Sequence, residues 1–162
     1  MHIEYQNDLK PGQAEILVRD LLEVSFGPEE LGNPDDLITE LAGSGLQVCS
    51  AWDGSRPLGA AIGWFATPEI TMLSWLAVSP LTRGHGVGSE LFHRAISQWE
   101  SCHNPLLILG EVENPHLHVA SDSMAIRVGG GRFINDWVPN IWTFLSRCPD
   151  SARMYRWART CG

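Results

Sequence analysis

The chain has 162 residues, 11 of them basic and 19 acidic, so its formal net charge is −8. This length suits a single domain spanning residues 1–162 and is enough to bury a hydrophobic core. A strongly acidic chain repels a phosphate backbone, which disfavours nucleic acid as a partner. No apolar run is long enough to span a membrane, and the first residues lack the apolar core of a secretion signal. The sequence therefore predicts a cytoplasmic protein with no membrane partner.

Apolar spacing in the first quarter of the chain predicts two helices. Apolar side chains stand at i, i+3, i+4, i+7 and i+8 between Ala14 and Leu22, which is typical of a helix that buries one face. The segment should end near residues 27–28. Asn33 followed by Pro34 predicts the N-cap and first residue of a second helix, which stops by residues 43–45.

The rest of the sequence predicts mainly strands, with two further helices. Strands are predicted at residues 46–52 and 57–66, which form a hairpin, and at 71–78, 106–113, 132–137 and 141–145. The strand at 71–78 is mostly apolar and is expected to be buried on both faces. Helices are predicted at residues 86–102 and 119–128. This order predicts an α/β fold around a mixed sheet.

Cysteine usage and ligand spacing do not indicate a metal centre. The four cysteines are widely spaced and form no C-x-x-C pair: Cys49, Cys102, Cys148 and Cys161. Without an export signal we expect free thiols rather than disulfides. No set of histidines and cysteines has the paired spacing of a tetrahedral zinc site, so no metal is expected.

The segment from Leu76 to Ser89, LAVSPLTRGHGVGS, runs from a predicted strand through a glycine-rich turn into a predicted helix. Its glycines leave backbone N–H groups unshielded where the helix begins, and Arg83 adds a positive charge. The pattern predicts a bound diphosphate or polyphosphate. The alternative is a flexible glycine linker before an ordinary helix.

Two familiar phosphate-binding patterns do not match this segment. In G-x-G-x-x-G, starting from Gly84 or Gly86, the sixth position is Ser89 or Leu91 instead of glycine, which disfavours a dinucleotide-dependent oxidoreductase. A nucleotide P-loop needs a lysine after the loop, and none is present.

The remaining pattern is R-x-x-G-x-G, formed by Arg83, Gly86 and Gly88 after a strand that ends at Val78. With the Leu-x-Val-x-Pro stretch before it, this segment resembles the signature of the GNAT superfamily of acyl-CoA-dependent N-acyltransferases. The resemblance implies a mixed, mostly antiparallel sheet with helices on both faces and splayed middle strands. It also implies acetyl-CoA as co-substrate and an acceptor that is a primary amine of a small molecule or peptide. Homodimers are frequent in this family.

The same resemblance assigns contacts with the cofactor. Backbone groups of the strand would pair with the pantetheine arm, amides of the loop would hold the diphosphate, and one asparagine would lie on the cofactor side after the next strand. These residues are, in that order, Leu76, Ala77 and Val78; Arg83, Gly84, His85, Gly86, Val87, Gly88 and Ser89; and Asn114.

Two carboxylates are candidates for the catalytic base. Glu111 and Glu113 follow Leu107 and Leu109 on one face of a predicted strand, where partial desolvation would raise their affinity for a proton. Glu111 is the first candidate for accepting the proton of the amine or orienting it, and Glu113 the second. The alternative is that one or both form structural ion pairs with arginines further along the chain.

The sequence departs from the family where many members carry a tyrosine that protonates the CoA thiolate. The positions four residues before a glycine pair hold Ile126 and Arg127. Ser123, water or Tyr155 could serve instead, or the thiolate could leave unaided. The departure leaves open a second function, that of a non-catalytic acyl-CoA-binding or sensor module.

The negative charge is concentrated at the start of the chain. Residues 1–40 hold ten carboxylates against Lys10 and Arg19, so 2 − 10 = −8, the entire net charge. Such a region would attract a cationic acceptor, if the charge is not there for solubility alone. The 7 tryptophans could line an aromatic acceptor pocket, although several must belong to the core.

Overall fold

The structure is a computed structural model that describes residues 2–43 and 45–110, and the backbone of residues 141–147 and 153–159. Its elements in chain order are β1 (Glu4–Gln6), α1 (Gln13–Leu17), a π-helical turn (Val18–Leu22), α2 (Glu23–Ser25), α3 (Pro28–Leu31), α4 (Pro34–Ala42), β2 (Gln47–Asp53), β3 (Arg56–Thr67), β4 (Ile70–Val78), a 3-10 turn (Pro80–Thr82), α5 (Val87–His103), β5 (Leu107–Gly110), β6 (Ile141–Arg147) and β7 (Arg153–Arg159). The strand predicted at 132–137 and the helix predicted at 119–128 lie outside the described residues.

The first helical segment buries the apolar stripe that its sequence predicts. α1, the π-helical turn and α2 follow one another without a break, and the buried side chains include Ala14, Leu17, Val18, Leu21 and Leu22. These buried residues are the i, i+3, i+4, i+7 and i+8 positions of the predicted stripe, which continues through the π-helical turn. The segment ends at its predicted place, but the short helix α3 that follows was not predicted.

The second predicted helix, α4, is confirmed at both ends. The Asn33 side-chain oxygen accepts the backbone N–H of Asp35 at 3.0 Å, as an N-cap residue does. Pro34 is the first helical residue, and the helix ends at Ala42, just before Gly43.

The sheet has the strand order β1-β2-β3-β4-β5. The first four strands pair antiparallel, and β4 pairs parallel with β5, so the predicted mixed, mostly antiparallel sheet is confirmed. The predicted hairpin is β2 and β3. β6 pairs antiparallel with β7, and β7 lies beside β5. β6 confirms the predicted strand at 141–145, whereas β1 and β7 were not predicted.

Helices cover both faces of the sheet. One core contains buried side chains of α1, the π-helical turn and α4 together with Val48, Trp52 and Ile62 of the sheet. The other contains the buried face of α5 packed on residues of β2 and β3. β4 contributes side chains to both cores, in line with the expectation that it is buried on both faces, although only Thr71 and Ala77 of its residues are fully buried. Its described pairing with β5 covers residues 70–73.

Two glycines of β3 let α5 approach the sheet closely. A Cβ on Gly59 would lie 2.7 Å from Leu91 Cδ1 and 2.9 Å from the carbonyl oxygen of Ala77. A Cβ on Gly63 would lie 2.5 Å from the carbonyl oxygen of Met72 and 2.7 Å from a ring carbon of Trp99. These separations are too short for real atoms, so larger residues would push α5 away from the strands.

Replacing Gly63 with alanine should therefore lower the free energy of unfolding, by about 1–3 kcal/mol, the usual cost of overpacking a core. Gly45→Ala is the matched control, because nothing lies within 4 Å of a Cβ at that position. Urea unfolding of the two variants measures the difference, and equal stabilities would show that α5 does not pack against the strand as closely as described.

Candidate active site

The candidate site lies where β4 leaves the sheet and α5 begins. β4 carries a bulge, because Ile62 of β3 pairs with Trp75 and Gly63 with Leu73, so Ser74 has no partner on β3. After the bulge, Leu76 packs toward the α5 core. The bulge thus sets which side chains of the last part of β4 face each helical layer.

The β4–α5 loop, residues 79–86, contains two glycines that must be glycine for conformational reasons. Gly84 has φ 79° and Gly86 has φ 80°, both in the left-handed region. A Cβ at either position would meet nothing within 4 Å, so backbone strain rather than space excludes larger residues. Gly88 is different, because its Cβ would lie 3.1 Å from Val78 Cγ2. Its small size allows the first turn of α5 to pack against the end of β4.

Four backbone amides at the start of α5 are unpaired in the described part of the chain. They belong to Gly86, Val87, Gly88 and Ser89, and we call them the amide cradle. The first amide that finds a helical acceptor is that of Glu90, which donates to the carbonyl of Gly86 at 3.0 Å. Gly86 is the N-cap and offers no side chain to the amides. The cradle lies at the positive end of the 17-residue helix, where the glycine pattern predicts a bound anion.

Arg83 and His85 flank the cradle in defined positions. The Arg83 Nε donates to the carbonyl of Val78 at 3.2 Å, which holds the guanidinium beside the end of β4. His85 Nδ1 lies 3.0 Å from the carbonyl oxygen of Arg83 and donates to it in the tautomer that carries its proton there. The ring is exposed, and in this neutral tautomer its Nε2 is an acceptor, so it offers no hydrogen bond to a phosphate oxygen. The backbone N–H of His85 donates to the carbonyl of Thr82 at 3.3 Å, so this amide is used within the loop.

The described residues around the cradle have the features that a diphosphate site requires. It combines oriented amides, a helix N-terminus and a guanidinium held at a fixed position, and it lies directly after the strand expected to pair with pantetheine. Leu76, Ala77 and Val78 are in place at the end of β4. The partner positions of this stretch on the β5 side fall beyond Gly110, outside the described residues.

The predicted catalytic residues also lie outside the described part of the chain. Glu111, Glu113, Asn114 and Ser123 fall in residues 111–140, and Tyr155 is described as backbone of β7 alone. Their roles remain predictions. No group of three or more histidine, cysteine or acidic side chains within the described residues could hold a metal ion.

A cysteine nucleophile that would carry the acyl group is disfavoured at Cys49. Burial, with a smaller contribution from the nearby Glu90 carboxylate, raises the pKa of the Cys49 thiol to about 11. The thiol is fully buried and is therefore neutral and inaccessible near neutral pH. Cys102 is a free, exposed thiol at the far end of α5.

On the other face of the sheet, acidic groups outnumber the cations that could compensate them. Lys10 pairs with Glu4 at 3.3 Å, and Arg19 pairs with Glu23 at 3.2 Å and with Asp35 at 2.6 Å. Both cations of residues 1–40 are thus already engaged. The carboxylates of the remaining acidic residues give this face a negative potential.

Trp75 connects this acidic region to β4. Its side chain is partly buried on the face covered by α1 and α4, and its indole N–H donates to the carbonyl of Glu30 in α3 at 3.4 Å. Glu29 is the neighbouring residue on α3 and is exposed. The sequence analysis did not predict a particular role for Trp75 among the tryptophans. The reason is that its hydrogen bond to α3 joins residues far apart in the chain.

The family model of the acetyltransferase (GNAT) family matches residues 15–120. No protein of curated function matches the sequence significantly. Among solved structures, the fold is similar to that of an aminoglycoside 6'-N-acetyltransferase complexed with coenzyme A, at 16% identity, a TM-score of 0.71, and coverage of 97% of this chain and 94% of that one. It is also similar to PaiA N-acetyltransferase from Thermoplasma acidophilum in complex with coenzyme A, at 15% identity, a TM-score of 0.68, and coverage of 98% and 99%. Ard1 from Thermoplasma volcanium is similar at 18% identity, with a TM-score of 0.68 and coverage of 98% and 97%.

The family model identifies an acyltransferase of the kind that uses an acyl-CoA thioester. Because the family model covers more than half of its residues, the chain belongs to the GNAT acetyltransferase family. Acetyl-CoA is its co-substrate, as membership of an acetyltransferase family implies. No helix in the described part of the chain is long and apolar enough to span a bilayer.

Replacing Gly86 with valine should weaken CoA binding about tenfold or more, because a β-branched residue at φ 80° strains the loop by roughly 1–3 kcal/mol. Isothermal titration with CoA measures the dissociation constant. Gly54→Val is the matched control, since Gly54 also has a positive φ, 63°, but lies in the β2–β3 turn. Unchanged affinity in Gly86→Val, with the fold retained, would show that the cradle does not bind CoA.

Proposed function

We propose that the protein transfers the acetyl group of acetyl-CoA to a primary amine of a small molecule or peptide. The amide cradle after β4 is the observation that carries this proposal, because its amides at a helix N-terminus would hold a diphosphate in the loop that the sequence resemblance assigns to CoA. The cradle and Arg83 would hold the diphosphate, and the backbone of Leu76, Ala77 and Val78 would pair with pantetheine. We assign the reaction to a single domain of residues 1–162 in the cytoplasm.

The proposed chemistry is direct attack by the acceptor. The lone pair of the neutral amine attacks the thioester carbonyl carbon, the carbon–sulfur bond breaks, and the sulfur leaves as the CoA thiolate. A backbone N–H near Ala77 or Val78 would polarise the carbonyl. Glu111, with Glu113 as second candidate, would accept the proton that the amine loses. The buried, neutral state of Cys49 supports direct attack over a route through an acylated thiol.

Protonation of the departing thiolate has several candidates in this chain. The proton could come from Ser123, from water or from Tyr155. The CoA thiolate could also leave without being protonated, because the pKa of a thiol is low enough near neutral pH. The absence of the family tyrosine at Ile126 and Arg127 favours a second candidate function, a non-catalytic acyl-CoA-binding or sensor module.

A thiol-release assay separates the two functions. With acetyl-CoA and a panel of amines comprising spermidine, kanamycin and a short peptide with a free N-terminus, an acetyltransferase should release free CoA thiol with at least one of them. Glu111→Gln should lower this rate at least tenfold while changing the dissociation constant of CoA less than twofold. Tight CoA binding without thiol release on any amine would favour the sensor module, and an unchanged rate in Glu111→Gln would remove that residue from the mechanism.

We further propose that the acceptor is a cationic amine that approaches from the face of α1 to α4. Trp75 reaches this face from β4, just before the residues that would pair with pantetheine, and its contact with Glu30 brings the acidic helix α3 next to it. An indole ring and unpaired carboxylates together attract an ammonium group.

If this charge steers the acceptor, kcat/KM for the amine should fall as salt is added, because screening weakens attraction over distances of about 10 Å. Glu29→Gln should lower kcat/KM at low salt more than Glu15→Gln, a control on α1 that changes the net charge equally. Steady-state kinetics at two salt concentrations measures both effects. A flat salt response and equal variants would assign the charge to solubility alone.

A further inference from the structure

Thr82 occupies a central position in the β4–α5 loop. It is buried, with 1% of its surface exposed, although it lies next to the exposed glycine turn. All three of its polar groups are bonded within the loop or to the neighbouring strand. Its backbone N–H donates to the carbonyl of Ser79 at 2.9 Å, and its own carbonyl accepts the backbone N–H of His85 at 3.3 Å.

The hydroxyl of Thr82 links the loop to a second strand. Its Oγ1 lies 3.2 Å from the carbonyl oxygens of both Leu58 and Ser79, and its single proton is shared between them. Leu58 belongs to β3, and its carbonyl also accepts the backbone N–H of Ser79 at 2.8 Å. The loop is therefore tied to β3 at two points, one of which is a side chain.

This attachment determines where the cradle lies. The first turn of α5 contacts β4 through Gly88 and Val78, and α5 crosses β3 at Gly59. Between these contacts, the conformation of the loop depends on bonds made by its own residues. Because the amides of a cradle bind an anion only when they converge on it, a small displacement of the loop weakens all of those bonds together.

We infer that Thr82 is a positioning residue for diphosphate binding, and that its hydroxyl holds the loop against β3 so that the cradle converges on the ligand. This inference rests on the proposed binding of CoA at the cradle. Thr82 itself faces the protein and touches neither the co-substrate nor the acceptor. The sequence pattern R-x-x-G-x-G starts one residue later and gives no sign of this role.

Thr82→Val tests the inference, because valine has nearly the same shape and lacks the hydroxyl. The carbonyls of Leu58 and Ser79 keep their backbone donors in this variant, so the fold should be retained. We expect the dissociation constant of CoA, measured by isothermal titration, to rise at least fivefold. The KM for acetyl-CoA should rise by a similar factor, while kcat at saturation changes less than twofold.

The controls separate positioning from a general loss of stability. Thr82→Ser restores the hydroxyl and should bind CoA within twofold of the wild type. Thr39→Val makes the same change at another threonine that donates to a backbone carbonyl, that of Asp35 at 2.9 Å in α4, and should leave CoA affinity unchanged. If Thr82→Val does not fold, Thr82→Ser and Thr82→Cys are compared instead, and the cysteine variant should bind at least threefold more weakly.

The outcomes are distinguishable from failure of the proposed function. Equal CoA affinity in wild type and folded Thr82→Val, or in the serine and cysteine pair, would overturn the role of Thr82 alone. A similar loss of affinity in Thr39→Val would assign the effect to stability and also overturn it. A wild-type protein that does not bind CoA would instead contradict the proposed function.

Discussion

The site depends on one constraint of helix geometry, that the first amides of a helix have no partners within it. In most proteins a side chain at the N-cap satisfies some of them, as Asn33 does for α4. At α5 the N-cap is Gly86, which has no side chain to offer. Within the described residues, the amides of the cradle are left for a ligand, and the glycine that leaves them open also supplies the left-handed turn that aims them.

The packing of the sheet makes this open helix end stable. α5 is anchored by side chains that fit against glycines of β3, where any larger residue would collide with a backbone carbonyl or a ring. A helix held along its length by such close contacts can leave its first turn unsatisfied, because its stability comes from the buried face. The same close packing places the helix end beside the last residues of β4, so a diphosphate and an extended arm can be bound by adjacent parts of one segment.

Local signals were enough to predict this segment and most of the elements. The cap at Asn33, the apolar stripe from Ala14 and the glycines before α5 act through residues close in sequence, and the structure confirms their elements. β1 and β7 were not predicted, because β1 has only three residues and β7 has an arginine at every third position instead of the alternation typical of a strand. Each becomes a strand by pairing with another strand, β1 with β2 and β7 with β6. Pairing between distant or short segments produces no recognisable pattern in the local sequence.

The contacts that tune the site are non-local for the same reason. Ser74 forms a bulge because β4 has one more residue than β3 between two consecutive strand pairs. The indole of Trp75 donates to α3, a helix that begins at Pro28 and lies far from it in the chain. The hydroxyl of Thr82 bonds to a strand residue that precedes it by 24 positions. A motif of six residues can therefore predict where an anion binds, while the orientation of the loop depends on pairings that only the folded chain brings together.

Arg83 at the end of β4 and the carboxylates on its α1 to α4 side are separated in space, and this division favours direct transfer. Arg83 and the cradle supply positive potential at the end of β4, next to α5, whereas the uncompensated carboxylates of the first quarter lie on the α1 to α4 side. An anionic co-substrate and a cationic acceptor would then be drawn to different faces and meet only at the strand between them. Such an arrangement brings both reactants to one place at the same time and needs no residue to store the acyl group, consistent with the buried and neutral thiol of Cys49.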